Sequence, residues 1–142
     1  MADPYNLARF VEAQRGTYET ALAELRAGQK RSHWMWFIFP QIAGLGSSPM
    51  AQLYAISSIE EAQAYLAHPV LGSRLKASTE AVNGHDGRSA HAIFGSPDDM
   101  KFRSSMTLFG EAAPAEPAFR TALDRYFGGQ GDPLTLSRLG HR

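Results

Sequence analysis

The segment from His33 to Gln41 carries the residue types best suited to lining a ligand pocket. It contains both tryptophans of the chain, Trp34 and Trp36, and it is polar at each end. Indole rings often wall ligand pockets, and an unperturbed imidazole titrates near neutral pH, which makes His33 the candidate general acid or base. The alternative is that the segment builds the core, because each large aromatic side chain buries roughly 150–250 Å². We favour a core role for the segment as a whole and keep Trp34, Trp36, His33 and Gln41 as candidate ligand contacts.

A glycine- and serine-rich stretch, Gly-Leu-Gly-Ser-Ser, follows at residues 44–48. Glycines allow backbone N–H groups to turn toward an anion, and serine hydroxyls add further donors. The lysine–serine pair of a phosphate loop and the third glycine of a dinucleotide fingerprint are missing, so an ordinary surface turn is the competing interpretation. Gly44, Gly46 and Ser48 are candidate contacts to an anionic group if a cation lies nearby. The cations that could serve are Lys30, Arg31, Arg74 and Lys101.

A third cluster reads Lys-Phe-Arg-Ser-Ser-Met-Thr over residues 101–107. On a helix, Lys101 would share one face with Ser104 and Ser105. Short hydroxyl residues compete with the backbone for hydrogen bonds, so their presence inside a helix indicates either close helix packing or a ligand. A serine–lysine hydrolase is not supported, because the G-x-S-x-G turn is missing. Lys101, Ser104 and Ser105 are therefore candidate ligand contacts, with packing as the alternative.

Metal and thiol chemistry find little support. The chain has no cysteine, which excludes disulfides, thiolate zinc sites and a cysteine nucleophile. His85 and His91 stand in a glycine-rich segment that we interpret as a solvated loop rather than a metal site, and His141 at the terminus is expected to be disordered. We predict no metal and no cofactor.

Whether the aromatic segment is a helix or a strand determines where its side chains lie. Residues 34–39 are apolar on every face, so periodicity does not separate a buried strand from a short helix. No other run offers a partner strand, and a lone strand would leave its backbone groups unpaired. We therefore predict a helix that ends at Pro40, followed by a loop over residues 42–50 and a short helical turn over 51–56.

Two further signals predict helix starts. Ser57 and Glu60 form the pattern of a capping box, in which each side chain bonds the other residue's backbone N–H. The sequence Ser-Pro-Asp-Asp from Ser96 combines a cap, a proline at the first helical position and two acids in the positive first turn. The helix that it opens carries the Lys101 cluster and should end near Gly110.

The whole pattern predicts an all-α protein: a single compact domain of about seven or eight short helices over residues 1–142, with its core in roughly 5–139. The length of 142 residues suits one domain, and a hydrophobic fraction of 44% with 20% charged residues excludes a disordered or fibrous chain. Formal net charge is zero, which argues against a nucleic-acid partner. The N-terminus lacks the pattern of a signal peptide, and the apolar run over 34–40 is far too short to span a bilayer. We expect no membrane partner and a cytoplasmic location.

Several motifs together resemble a bacterial family, the domain-of-unknown-function family 1810. They are His-Trp-Met-Trp-Phe-Ile-Phe-Pro-Gln from residue 33, Gly-Leu-Gly from 44, Tyr54, His-Pro-Val-Leu-Gly from 68, residues 101–109, and Asp-Pro-Leu-Thr-Leu from 132. The resemblance runs from about Leu7 to Leu139 and implies a mostly α-helical single domain with no established activity or catalytic residues. Some members carry the label calpastatin, but calpastatins are largely disordered inhibitors, whereas this composition is that of a packed domain.

The sequence does not identify a reaction, and it leaves two functional hypotheses. In the first, the protein binds a small anionic metabolite such as a nucleotide or sugar phosphate, with the tryptophans as an apolar wall and residues 44–48, Lys101, Ser104 and Ser105 around the anionic group. In the second, it is a non-catalytic protein–protein interaction module whose aromatic segment is structural core. The first hypothesis requires that two stretches distant in sequence meet at one cavity.

Overall fold

The computed structural model describes residues 3–140, which fold into ten α-helices with no β-strand among them. The helices are α1 (Ala8–Gln14), α2 (Tyr18–Ala27), α3 (Met35–Ile38), α4 (Pro49–Leu53), α5 (Ile59–Ala67), α6 (Leu71–Asn83), α7 (Ala90–Phe94), α8 (Asp98–Ala112), α9 (Pro117–Phe127) and α10 (Pro133–Arg138). The all-α class is confirmed. The total exceeds the predicted seven or eight, and helices α3, α4 and α7 have five residues or fewer. The expectation for His141 concerns a residue outside the described range.

Helix α8 lies at the centre of the domain and contacts α5, α7, α9 and α10. Most of its side chains are buried, which is why it carries apolar residues on more than one face. Phe102 packs its ring against Phe39 and Phe94, with ring centroids 5.0 and 4.7 Å away. A second layer forms where α6 packs on α2, α5 and α9. The core therefore surrounds the helix that carries the Lys101 cluster.

The aromatic segment forms the short helix α3, as predicted, and most of it is core. Trp34 and Phe39 are fully buried and Phe37 is 7% exposed. The indole N–H of Trp34 needs a partner in that position, and it donates to Glu24 Oε1 at 3.0 Å. Pro40 follows the segment, and the helix ends before it.

Two predicted helix starts are shifted along the chain. Helix α4 begins at Pro49, not Ala51, because the Ser48 hydroxyl caps it by accepting the Ala51 N–H at 3.1 Å. At α5 the cap is Ser58, which accepts the Glu61 N–H at 3.1 Å, so the Ser57–Glu60 pair was wrong by one residue.

Helix α8 starts at Asp98, with Asp98 and Asp99 in its first turn as expected, but no side-chain cap forms and Ser96 does not fill that role. It also continues past Gly110 to Ala112. A glycine inside a helix costs about 1 kcal/mol relative to alanine, and burial of Phe109 and Ala112 in the domain core offsets that cost.

Between α3 and α5 the chain makes an excursion, a loop whose two ends are joined by backbone hydrogen bonds. Ile42 and Ile56 form an isolated parallel bridge, in which Ile56 N–H donates to Gln41 O and Ala43 N–H donates to Ile56 O, each at 2.8 Å. Arg9 then fixes the end of the excursion by donating to the carbonyl of Leu53 and, again, to that of Ala55, both at 2.9 Å. We refer to residues 43–55, which include α4, as the 43–55 loop.

Candidate functional site

A groove of about 420 Å³ opens where the 43–55 loop, the start of α8 and the start of α10 meet. We call it the α8 groove. Its lining residues are Gln41, Leu45, Gly46, Ser47, Ser48, Ala51, Pro97, Met100, Lys101, Ser104, Asp132 and Leu134. Small-molecule sites commonly occupy roughly 300–1,000 Å³, so a groove of this volume can hold a metabolite.

The first wall is backbone-rich. The N–H groups of Leu45, Gly46 and Ser47 donate no hydrogen bond to another described residue. Gly46 is held close to α4, since a Cβ there would lie 2.6 Å from the Cβ of Ala51, and only glycine fits without a shift. This wall therefore contains backbone N–H groups that no described residue occupies.

The second wall is the first turns of α8, and it brings the positive charge. Lys101 Nζ lies 3.5 Å from Asp98 Oδ1, while Lys30 Nζ approaches Asp98 Oδ2 more closely, at 3.0 Å. The side chain of Lys30 is 9% exposed and that of Lys101 is 27% exposed. Because Lys30 already balances Asp98, the three groups carry a net positive charge, and Lys101 is the cation that faces the groove.

The third wall consists of the start of α10 and the residue before it, and side chains of α8 hold it in place. Arg103 donates to the carbonyls of Gln130 and Gly131 at 3.0 and 3.1 Å, and Thr107 Oγ1 accepts the Asp132 N–H at 2.8 Å. Asp132 caps α10, because its Oδ2 accepts the N–H and hydroxyl of Thr135 at 2.9 and 2.7 Å. Asp132 Oδ1 makes no hydrogen bond to the described residues.

Five of the residues singled out in the sequence line this groove together: Gln41, Gly46, Ser48, Lys101 and Ser104. The side-chain amide of Gln41 makes no hydrogen bond to another described residue and is half-buried. The Ser104 hydroxyl donates to Met100 O at 3.1 Å, an ordinary bond within a helix turn, and leaves its lone pairs available.

The other candidates lie elsewhere. Trp34 is buried against Glu24, and Ser105 is buried with no hydrogen-bond partner for its hydroxyl. Gly44 is covered from one side by Arg138, whose Nη2 donates to Gly44 O at 3.3 Å. His33 is exposed and does not line the groove. Trp36 is half-buried and borders the site through Lys101, whose Nζ is 5.6 Å from the centroid of its ring.

Asp132, Met100 and Leu134 are groove residues that the sequence analysis did not assign to a site. Asp132 caps α10 and also lines the groove. Met100 and Leu134 are 45% and 66% exposed. Met100 precedes Lys101 directly in the first turn of α8, whereas the packing of α10 on α8 brings Asp132 and Leu134 to the same groove.

A carboxylate also organises the approach to the aromatic segment. Glu24 accepts the Arg31 N–H at 2.7 Å, the Ser32 hydroxyl at 2.6 Å and the Trp34 indole N–H. Burial favours the neutral acid, but the hydrogen bonds from Ser32, Arg31 and Trp34 together outweigh it and lower the pKa of Glu24. Glu24 is thus an anion that fixes the start of α3, behind the Lys30–Asp98–Lys101 cluster.

Within residues 3–140, no three His, Asp or Glu side chains lie close enough to hold a metal ion. No helix in the same range is both long enough and apolar enough to cross a bilayer.

Fold and site together define a helical single-domain protein with a lysine-bearing groove at the start of its central helix. The chain belongs to the family described as "Protein of unknown function (DUF1810)", whose model matches residues 4–139, and this confirms the resemblance seen in the motifs.

Among solved structures, the chain is similar to the conserved hypothetical protein Rv1873 from Mycobacterium tuberculosis. The two are 54% identical, the match covers 99% of this chain and 100% of that one, and the TM-score is 0.96. No curated protein matches the sequence.

Proposed function

We propose that the α8 groove binds a small anionic metabolite such as a nucleotide or sugar phosphate. One observation carries the proposal: Lys101 and Ser104 of α8 line the same groove as the backbone of Gly46 and Ser48, although the two stretches are far apart in sequence. A cation, unpaired backbone N–H groups and hydroxyls are the groups that bind phosphate oxygens in proteins.

Each side of the groove would contribute differently. Lys101 would supply the charge, because Asp98 is balanced by Lys30 on its other side. The N–H groups of residues 45–47 and the amide of Gln41 would donate hydrogen bonds to the anionic oxygens. His33 lies outside the groove, so the proposal assigns binding and no chemical step. A cytoplasmic location and the lack of a nucleic-acid partner remain part of this proposal, the latter supported by the zero formal net charge.

Thermal unfolding with and without phosphorylated compounds tests the proposal. A ligand at 100 times its Kd stabilises the folded state by about 2.7 kcal/mol, which for a domain of this size raises Tm by on the order of 10 °C. We expect this rise for the wild type and for the control Lys76→Gln, whose lysine pairs at 3.7 Å with Glu116 outside the groove. Lys101→Gln should lose most of it. The proposal fails if no phosphorylated compound shifts Tm, or if Lys101→Gln responds like the wild type.

The second candidate function is a non-catalytic protein–protein interaction module with the aromatic segment as structural core. It is favoured by the burial of Trp34, Phe37 and Phe39, which leaves most of that segment unable to touch a ligand. The same thermal experiment separates the candidates, because this one predicts no response to any phosphorylated compound and no effect of Lys101→Gln.

A further inference from the structure

The α8 groove has an apolar side that the binding of a phosphate alone does not explain. In the described part of the chain, the exposed large hydrophobic residues are Leu53, Met100 and Leu134, and the last two both line this groove. They come from different helices, since Met100 belongs to α8 and Leu134 to α10. Two exposed apolar side chains on separate walls of one groove can both contact an apolar group of a bound ligand.

The charges of the groove fix how such a ligand would lie. Lys101 and the N–H groups of residues 45–47 attract an anion. Asp132 lines the same groove and repels one, because its carboxylate is an acceptor only when ionised. Its Oδ2 is occupied by Thr135, whereas Oδ1 is available to accept a hydrogen bond from a hydroxyl or amino group. The groove therefore favours a ligand that is anionic at one part and a hydrogen-bond donor at another.

We infer that the ligand is a nucleoside phosphate rather than a sugar phosphate, an inference that rests on the function proposed above. The phosphate would lie at Lys101, the ribose hydroxyls or an amino group of the base would donate to Asp132 Oδ1, and the base would contact Met100 and Leu134. A sugar phosphate satisfies the first two sites but has no apolar face to cover the third. The base is therefore the part of the ligand that the apolar side selects.

Isothermal titration calorimetry with matched ligands tests the inference. Adenosine or guanosine 5′-monophosphate carries a base where ribose 5-phosphate carries its C1 hydroxyl, and adenosine lacks only the phosphate of its nucleotide. We expect at least one of the two nucleotides to bind more tightly than ribose 5-phosphate by about tenfold or more. Leu134→Ala should reduce that difference several-fold and leave the affinity for ribose 5-phosphate unchanged. Leu53→Ala, which truncates a leucine that is 53% exposed and lies outside the groove, should change neither affinity.

The outcomes separate the inference from the function on which it rests. The inference is overturned if ribose 5-phosphate binds as tightly as both nucleotides, or if Leu134→Ala and Leu53→Ala have the same effect on binding. In either case the apolar side of the groove does not contact the base, while the proposal of phosphate binding stands. If adenosine binds as tightly as its nucleotide, or if no compound binds, the phosphate site itself is wrong and both proposals fall. Because Leu134 is 66% exposed, we expect its truncation to leave the unfolding temperature close to that of the wild type, which keeps the binding result interpretable.

Discussion

Glu61 fixes the 43–55 loop to the helical core, and removing its charge should measurably destabilise the protein. Its side chain is 3% exposed and both carboxylate oxygens are used. Oε2 accepts from Arg9 Nη2 at 2.9 Å, and Oε1 accepts the N–H and hydroxyl of Ser57 at 2.8 and 2.7 Å. An amide has a single oxygen, so Glu61→Gln loses the charge and cannot accept from both Arg9 and the Ser57 N–H.

The size of the effect follows from these partners. Hydrogen bonds to a charged group contribute about 1.5–3 kcal/mol each, and breaking a buried ion pair costs about 3–5 kcal/mol when the remaining charge has no other partner. Arg9 is not left without partners, because it also donates to backbone carbonyls that include those of Leu53 and Ala55. We therefore expect Glu61→Gln to lower the free energy of unfolding by the lower end of that range, about 3 kcal/mol.

Urea unfolding followed by circular dichroism measures this change. With an m-value of about 2 kcal/mol/M for a chain of this size, the urea midpoint should fall by about 1.5 M. Glu60→Gln is the matched control, since Glu60 stands in the same first turn of α5 but is exposed. It should lose only a few tenths of a kcal/mol of favourable interaction with the helix dipole. Equal midpoints for the two variants would refute the assignment of Glu61 as a buried anchor.

Three further changes have definite expected outcomes. The hydrogen-bonded Glu24 has a folded-state pKa below 4.5, so its contribution to stability is present above pH 4.5 and is lost as the pH falls through the folded-state value. The difference in unfolding free energy between the wild type and Glu24→Gln should therefore shrink between about pH 6 and pH 3. Trp34→Ala should lower the free energy of unfolding by about 3–5 kcal/mol in urea titrations, because Trp34 is fully buried. Gly72→Ala should lower Tm clearly, since its Cβ would lie 2.1 Å from the Leu66 carbonyl oxygen.

Each of these three predictions has an outcome that would contradict it. Lys76→Ala in α6 is the control for Gly72→Ala, and a Tm drop of the same size in both would contradict the close approach at Gly72. A pH-independent difference for Glu24→Gln would mean that the carboxylate is not held as an anion by Ser32 and Trp34. A small cost for Trp34→Ala, below about 1 kcal/mol, would contradict its place in the core.

The helical class could be predicted because its signals are local. Gly28 ends α2 in the left-handed conformation with φ of 79°, and Pro117 opens α9, as their types lead one to expect. The errors of register at α4 and α5 have a different origin. Ser57 and Ser58 are both good caps by residue type, and the contact between Glu61 and Arg9, 52 positions apart, determines which one is used.

The groove was only partly predictable for the same reason. Residue types in the 44–48 stretch and around Lys101 suggested an anion site. The two stretches come together because of the Ile42–Ile56 bridge, which the hydrophobic periodicity of the sequence does not predict. Asp132 and Leu134 line the groove because Arg103 donates hydrogen bonds to two backbone carbonyls of the loop before α10. No sequence pattern predicts such a contact. Trp34 could equally have faced a ligand, and the carboxylate of Glu24 is what satisfies its N–H inside the core.

The bridge between Ile42 and Ile56 also bears on how new specificities could be built on this scaffold. Because two backbone hydrogen bonds close the excursion at its base, the exposed residues of its tip, Ser47, Gln52 and Leu53, can be exchanged while Met50 and Tyr54 keep their packing on the core. Loop grafting or a randomised library confined to the tip would thus vary the recognition surface on a constant framework, much as antibody loops vary on theirs.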